Sequence, residues 1–114
     1  MGALGCLING APGYVVAVSD RGLQYGDGLF ETIAVRNGSP CLWYRHMERL
    51  RRGCGVLGLP MPPLDVLLDE CLSLIGYQGD GVLKIILTRG SGGRGYLPPV
   101  DPTPVRILCL YPFP

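Results

Sequence analysis

The change of hydrophobic period along the chain predicts an α+β fold in two layers, an antiparallel-rich sheet with two helices on one face. Short β-branched runs come first, two stretches with apolar residues at three- and four-residue spacing follow, and two strongly β-forming runs close the sequence. Asparagine–glycine pairs between the early runs favour antiparallel hairpins, and a helix with one apolar stripe needs one sheet face to bury it. With 114 residues and 47% hydrophobic content, one domain with a genuine core is expected over residues 1–114.

The elements follow in order. Residues 4–8 are an apolar run that stops at the turn pair Asn9-Gly10, and residues 14–18 form a second β-branched run. The two read as a hairpin whose loop, lengthened by Ala11-Pro12-Gly13, exceeds the tightest turn. Residues 19–28 carry too much glycine for a helix beyond one turn. A strand is expected over 30–35, and Asn37-Gly38 then turns into a short strand at 41–43. Residues 44–57 place Met47, Leu50, Cys54 and Leu57 on one helical face, with Arg45, Glu48, Arg51 and Arg52 at other positions. Pro60, Pro62 and Pro63 stop that helix, and 64–77 resume with Leu67, Leu68, Cys71, Leu72 and Ile75. Residues 82–87 and Val105–Tyr111 read as strands around a long loop at 89–104. The chain stops at Pro114 shortly after that last strand, as if cut at a linker between domains.

Composition narrows the function. A net charge of +1 with 17% charged residues gives no electrostatic reason for nucleic acid or an anionic membrane as partner. The 18 glycines and 11 prolines are spread along the chain and mark turns. Five cysteines (Cys6, Cys41, Cys54, Cys71, Cys109) form no C-x-x-C pair and accompany one histidine, His46, so no zinc site is expected. Reduced, mostly buried thiols are the expectation. No apolar run approaches the roughly 20 residues that span a bilayer, and no basic residue precedes the first apolar stretch as in a secretory signal. A soluble cytoplasmic protein is expected.

The segment Val18-Ser19-Asp20-Arg21-Gly22-Leu23-Gln24-Tyr25-Gly26-Asp27-Gly28-Leu29-Phe30-Glu31-Thr32 resembles the signature opening of fold-type-IV pyridoxal-phosphate enzymes, the class IV aminotransferases and their lyase relatives. Ile8-Asn9-Gly10, His46-Met47-Glu48-Arg49-Leu50, and Leu83-Lys84 through Thr88-Arg89-Gly90-Ser91-Gly92-Gly93-Arg94-Gly95-Tyr96 fall in the family's order and spacing. The last run resembles the aminodeoxychorismate lyase branch. The resemblance implies a small N-terminal domain that packs on a larger one, with pyridoxal 5'-phosphate between them.

It also implies roles. Arg49 matches the arginine that binds the cofactor phosphate, where a guanidinium gives a permanent, bidentate clamp. By periodicity alone Arg49 reads as a solvated arginine on a polar helix face; the motif match reverses that reading. Phe30 sits where relatives place an aromatic residue against substrate, although a strand aromatic is equally a core residue. Arg94 and Tyr96 match a pair that faces the substrate carboxylate across a homodimer interface. Gly90-Ser91-Gly92-Gly93-Arg94-Gly95 fits G-x-G-x-x-G, but Pro98 and Pro99 follow where a dinucleotide site needs a helix, so no such site is expected.

The resemblance further implies that the Schiff-base lysine lies in the C-terminal domain, which this sequence does not contain. The single lysine, Lys84, precedes the glycine-rich loop and is read as structural, so no catalytic residue is assigned to this chain. The complete enzyme would convert the small molecule 4-amino-4-deoxychorismate to 4-aminobenzoate and pyruvate, towards folate; the chain alone is expected to be inactive. Two alternatives remain: a fragment of a D-amino-acid or branched-chain aminotransferase, and a non-catalytic domain that pairs with a full-length relative or a separate C-terminal half.

Overall fold

Two asparagine–glycine turns set the outer edges of the sheet. In the computed structural model, which describes residues 2–92, 97–98, 100–101 and 103–114, Asn9 (φ 50°) and Gly10 (φ 83°) join β1 (Gly5–Ile8) to β2 (Ala11–Pro12). Asn37 (φ 51°) and Gly38 (φ 76°) likewise join β3 (Gly28–Arg36) to β4 (Ser39–Pro40). Positive φ at both central residues is the type I′ geometry, whose twist matches that of paired strands. Both returning strands are two residues long and end at a proline, which has no N–H for a continuing ladder.

These turns correct two expectations. The first hairpin is as tight as possible, and the β-branched run at 14–18 lies outside any strand, with Tyr14, Val15 and Val18 exposed. The short strand expected at 41–43 is instead Ser39–Pro40, because a two-residue turn starts the return at once. Leu42 then takes a left-handed conformation (φ 54°) that launches α2 (Trp43–Leu57), its carbonyl accepting from the N–H groups of Arg45 and His46.

Between the signature residues, α1 (Arg21–Tyr25) is a single turn, capped by the Asp20 carboxylate on the N–H of Leu23 and by left-handed Gly26. Helix α2 buries Met47, Leu50 and Cys54 and ends at left-handed Gly58. Helix α3 (Leu64–Ile75) buries Leu67, Cys71 and Ile75, and Gly76 stops it short of the expected Tyr77. Leu72, expected in the apolar stripe, is exposed, and Leu74 packs on the core instead. Strands β5 (Gly81–Thr88) and β6 (Val105–Tyr111) complete a six-stranded antiparallel sheet in the order β2-β1-β6-β5-β3-β4.

Register sorts the strand residues into two faces. Ile33, Leu83 and Leu110 form one row across β3, β5 and β6, and Ile85 and Leu108 lie in the next, opposite Glu31 and Leu7. Helix α2 packs over β3, and α3 over β1 and β6, so both helices cover this one face as the two-layer expectation required. Ile33, Leu67, Leu83, Ile85 and Leu108 are fully buried there, each contributing about 1.5–3 kcal/mol by removal from water. The opposite face carries Phe30, Ile86 and Ile107 in one row and Thr32, Lys84, Cys109 and Cys6 in the next; neither long helix covers it, while the short α1 meets it at Thr88 and Tyr14 and Val16 border a groove over Ile107 and Cys109.

Candidate functional site

An acid stands on the covered face. Strand alternation turns Glu31 inward with Leu29 and Ile33, and its side chain is 4% exposed. A carboxylate out of water needs charged partners, and α2 supplies two from one face, three residues apart. Arg49 donates from Nε (2.9 and 3.2 Å) and Nη2 (2.8 Å) to the two Glu31 oxygens. His46 Nδ1 lies 2.6 Å from Glu31 Oε1; an ionised carboxylate only accepts, which fixes the ring proton on Nδ1. Burial pushes the Glu31 carboxyl up, but the hydrogen bonds and charges of Arg49 and His46 outweigh it and hold the group below its usual range. The same hydrogen bond raises Arg49 above its ordinary value.

Arg49 is thus held from behind while its side chain stays 65% exposed. It borders two adjoining grooves, one with Arg45, His46 and Arg52, the other with Gly28, Phe30 and Gly53. Residues 45, 49 and 52 share one helical face, and all three arginines border the first groove together with Glu48, which pairs with Arg51. A Cβ on Gly53 would come within 2.8 Å of the Leu29 side chain. A glycine inside this helix therefore lets α2 lie close against the start of β3, which brings Arg49 to Glu31.

Phe30 follows on the other face of the same strand and is 64% exposed, so it is no core residue of this chain. The Lys84 amine lies 4.9 Å from its ring centroid, a cation–π contact. Lys84 is in register with Thr32 on the open face, whereas Arg49 meets Glu31 on the covered face. The sheet therefore separates the only lysine from the arginine cluster. Arg94 and Tyr96 lie outside the described residues.

Sequence reasoning gave no role to Glu31, and used His46 as a motif residue and a rejected metal ligand, with no partner for its side chain. The available signal was a glutamate at an inward strand position, which demands cations on the covering helix. A second polar network was also missed. Asp27 accepts from Arg21 Nε (3.0 Å) and Arg89 Nε (2.8 Å), and Arg89 Nη2 donates to the Leu57 carbonyl (2.6 Å). Thr88 Oγ1 donates to Asp20 (2.7 Å), and the N–H of Arg21 donates to the Gly90 carbonyl (2.8 Å). Burial raises the Asp27 carboxyl, yet the two arginines outweigh it and leave it lowered. The Asp-Arg-Gly…Gly-Asp-Gly signature thus ties α1 to the end of β5. Among the described residues no group of three or more His, Cys, Asp or Glu is placed to hold a metal, and no helix is long and apolar enough to cross a membrane.

The fold and the exposed, carboxylate-backed arginine can be set beside known proteins. The amino-transferase class IV family model matches residues 28–114, and the chain belongs to that family. Its fold is that of the N-terminal domain of the fold-type-IV enzymes, whose members depend on pyridoxal phosphate. Over 107 residues the chain is 36% identical to an aminodeoxychorismate lyase from Vibrio harveyi, covering 94% of this chain and 40% of that protein. It is 34% identical over 92 residues to a bifunctional aminodeoxychorismate lyase / D-amino acid transaminase from Mycobacterium tuberculosis, covering 73% and 32%. The crystal structure of 4-amino-4-deoxychorismate lyase from Pseudomonas aeruginosa matches with a TM-score of 0.86 and 49% identity, over 96% of this chain and 40% of that one. The chain thus spans about 40% of the length of the first relatives it matches.

Proposed function

We propose that this chain is the phosphate-anchoring, N-terminal part of a cytoplasmic aminodeoxychorismate lyase, a pyridoxal-phosphate enzyme that releases 4-aminobenzoate and pyruvate for folate synthesis. The observation that carries the reading is Arg49, an exposed guanidinium whose Nε and Nη2 are fixed by a buried carboxylate. The residues present fit the cofactor's phosphate: Arg49 offers its remaining donors, and Arg45 and Arg52 raise the positive potential beside it. The cofactor, when bound, supplies an electron sink for negative charge at the substrate Cα.

This chain's contribution is binding and orientation. Arg49 positions the phosphate, and the exposed ring of Phe30 offers an apolar surface that excludes water on the substrate side. Arg94 and Tyr96 are assigned to the substrate carboxylates by their motif match alone. Lys84 lies over the Phe30 ring and is read as structural, so the covalent lysine and the proton it moves are assigned to a C-terminal domain that this sequence does not include. The exposed apolar residues of the open face fit association with that domain or with a second copy in a homodimer.

The test is incubation with pyridoxal phosphate, borohydride reduction and peptide mapping, beside an assay of 4-aminobenzoate release. The expected result is no stoichiometric adduct at Lys84 and no turnover by the chain alone. A single Lys84 adduct together with pyruvate release would overturn the proposal. The similarity to a bifunctional lyase and D-amino acid transaminase favours a second reading, in which the whole enzyme also moves amino groups to 2-oxo acids. Transamination faster than pyruvate release by the whole enzyme would select it.

A further inference from the structure

We propose that Cys6 and Cys109 form a redox-modification site, a cross-strand dithiol that closes to a disulfide with a low-molecular-weight disulfide as oxidant. Cys6 of β1 is directly opposite Cys109 of β6, so both side chains leave the same, open face of the sheet. The N–H of Asn9 donates to the Arg106 carbonyl at 2.9 Å, and alternation along an antiparallel pair then makes Cys6–Cys109 a non-hydrogen-bonded pair. Such pairs hold their Cα atoms about 4.5 Å apart, within the range that a disulfide bridges without backbone movement. The thiols are already in contact, Cys6 Sγ to Cys109 Sγ at 2.7 Å.

No other cysteines have this relation among the described residues. Cys54 and Cys71 are buried under the helices in the opposite layer, and Cys41 follows β4 at the far edge. Access is through a groove on the open face lined by Ile8, Tyr14, Val16, Ile107 and Tyr111. The two residues retain 8% and 9% exposure. Burial pushes the Cys6 thiol up to about 11, and the hydrogen bond and charge of Cys109 push the same way. The thiolate fraction at neutral pH is therefore small, and closure is slow.

The step balances. One thiolate, having lost its proton to water, attacks the oxidant's S–S bond, forms a mixed disulfide and expels one thiolate of the reagent. The second cysteine thiolate attacks the protein sulfur of that mixed disulfide, forms the Cys6–Cys109 bond and expels the other. The protein loses two protons and two electrons, and the oxidant takes them up to become two thiols. The bridge would join the first strand to the last across a sequence separation of 103, which constrains the unfolded chain strongly. Neither cysteine belongs to the phosphate site, so this inference stands apart from the proposed function.

The experiment exposes the folded chain to oxidised glutathione, unfolds it, alkylates the remaining thiols and maps the peptides. The expected product, about 2 Da lighter than the reduced chain before alkylation, carries one Cys6–Cys109 bridge and has Cys41, Cys54 and Cys71 alkylated. Its Tm should rise by about 10 °C or more and fall back on treatment with dithiothreitol. Cys6→Ser and Cys109→Ser should each lose that oxidant-dependent rise. Five alkylated thiols after prolonged exposure, or a bridge or stable glutathione adduct through Cys41, would overturn the proposal.

Discussion

On the helix-covered face of the sheet Ile33, Leu83, Ile85 and Leu108 are fully buried, whereas Phe30, three residues from Ile33 in the same strand, is 64% exposed on the other face. The two faces come from the same strands and differ only by the parity of residue number. The covered face is apolar except at two positions: Glu31, which α2 answers with Arg49 and His46, and Arg106, which α3 answers with Glu70 at 2.6 Å. The open face is a mixture: apolar side chains only partly covered by α1 and residues 13–16, a lysine over an aromatic ring, and a pair of thiols in contact. Stability resides on one face, and surface for recognition is kept on the other. Arg49 sits where the two meet, at the edge made by β3, because β4 covers only the last two residues of that strand.

Substitutions should separate the faces sharply. Ile85→Ala, in the centre of the covered face, should lower the unfolding free energy by about 2–5 kcal/mol, read as a shift of the urea midpoint. A loss below about 1 kcal/mol would mean that the two-layer packing is looser than described. Glu31→Gln should cost less, about 1–2 kcal/mol, because Arg49 remains solvated once released. This variant should also change the acid limb of stability. The folded-state carboxyl is held below its usual value of 4.5, so its contribution is fully present above that value and is lost as pH falls through the lower folded value. Urea midpoints measured from pH 6 downward should converge for wild type and Glu31→Gln; parallel curves would contradict the assignment. The smallest effect belongs to Phe30→Ala, within about 0.5 kcal/mol by urea unfolding, as for an exposed site. A loss as large as that of Ile85→Ala would show that the open face is packed in solution.

Much of this arrangement is legible in the residues. The stripe of Met47, Leu50 and Cys54 gives α2 to within one residue of its start, and Val105–Tyr111 is a strand over its whole expected length. Propensity failed where the partner mattered more than the run. Residues 14–18 have the β-branched pattern of a strand, but the ladder has already ended at Pro12, and a tight turn leaves the run nothing to pair with. At the site, the motif located Arg49 and Phe30, while their setting required the register. The parity of Ile33 and Val35 turns Glu31 inward, but which cations meet it depends on how α2 lies across β3, and no local pattern encodes that. Leu42 in a left-handed conformation is equally invisible, since leucine has no preference for it.

Arg49, braced by Glu31, is proposed to anchor a phosphate. The most direct measurement titrates the folded chain with inorganic phosphate and follows arginine side-chain and backbone N–H signals by NMR. Saturable shifts at Arg49 and its neighbours Arg45 and Arg52, with a Kd on the order of 1 mM for so incomplete a cup, are expected. They should vanish in Arg49→Ala and weaken in Glu31→Gln. Shifts that persist in Arg49→Ala, or a wild-type spectrum unmoved by tens of millimolar phosphate, would contradict the account.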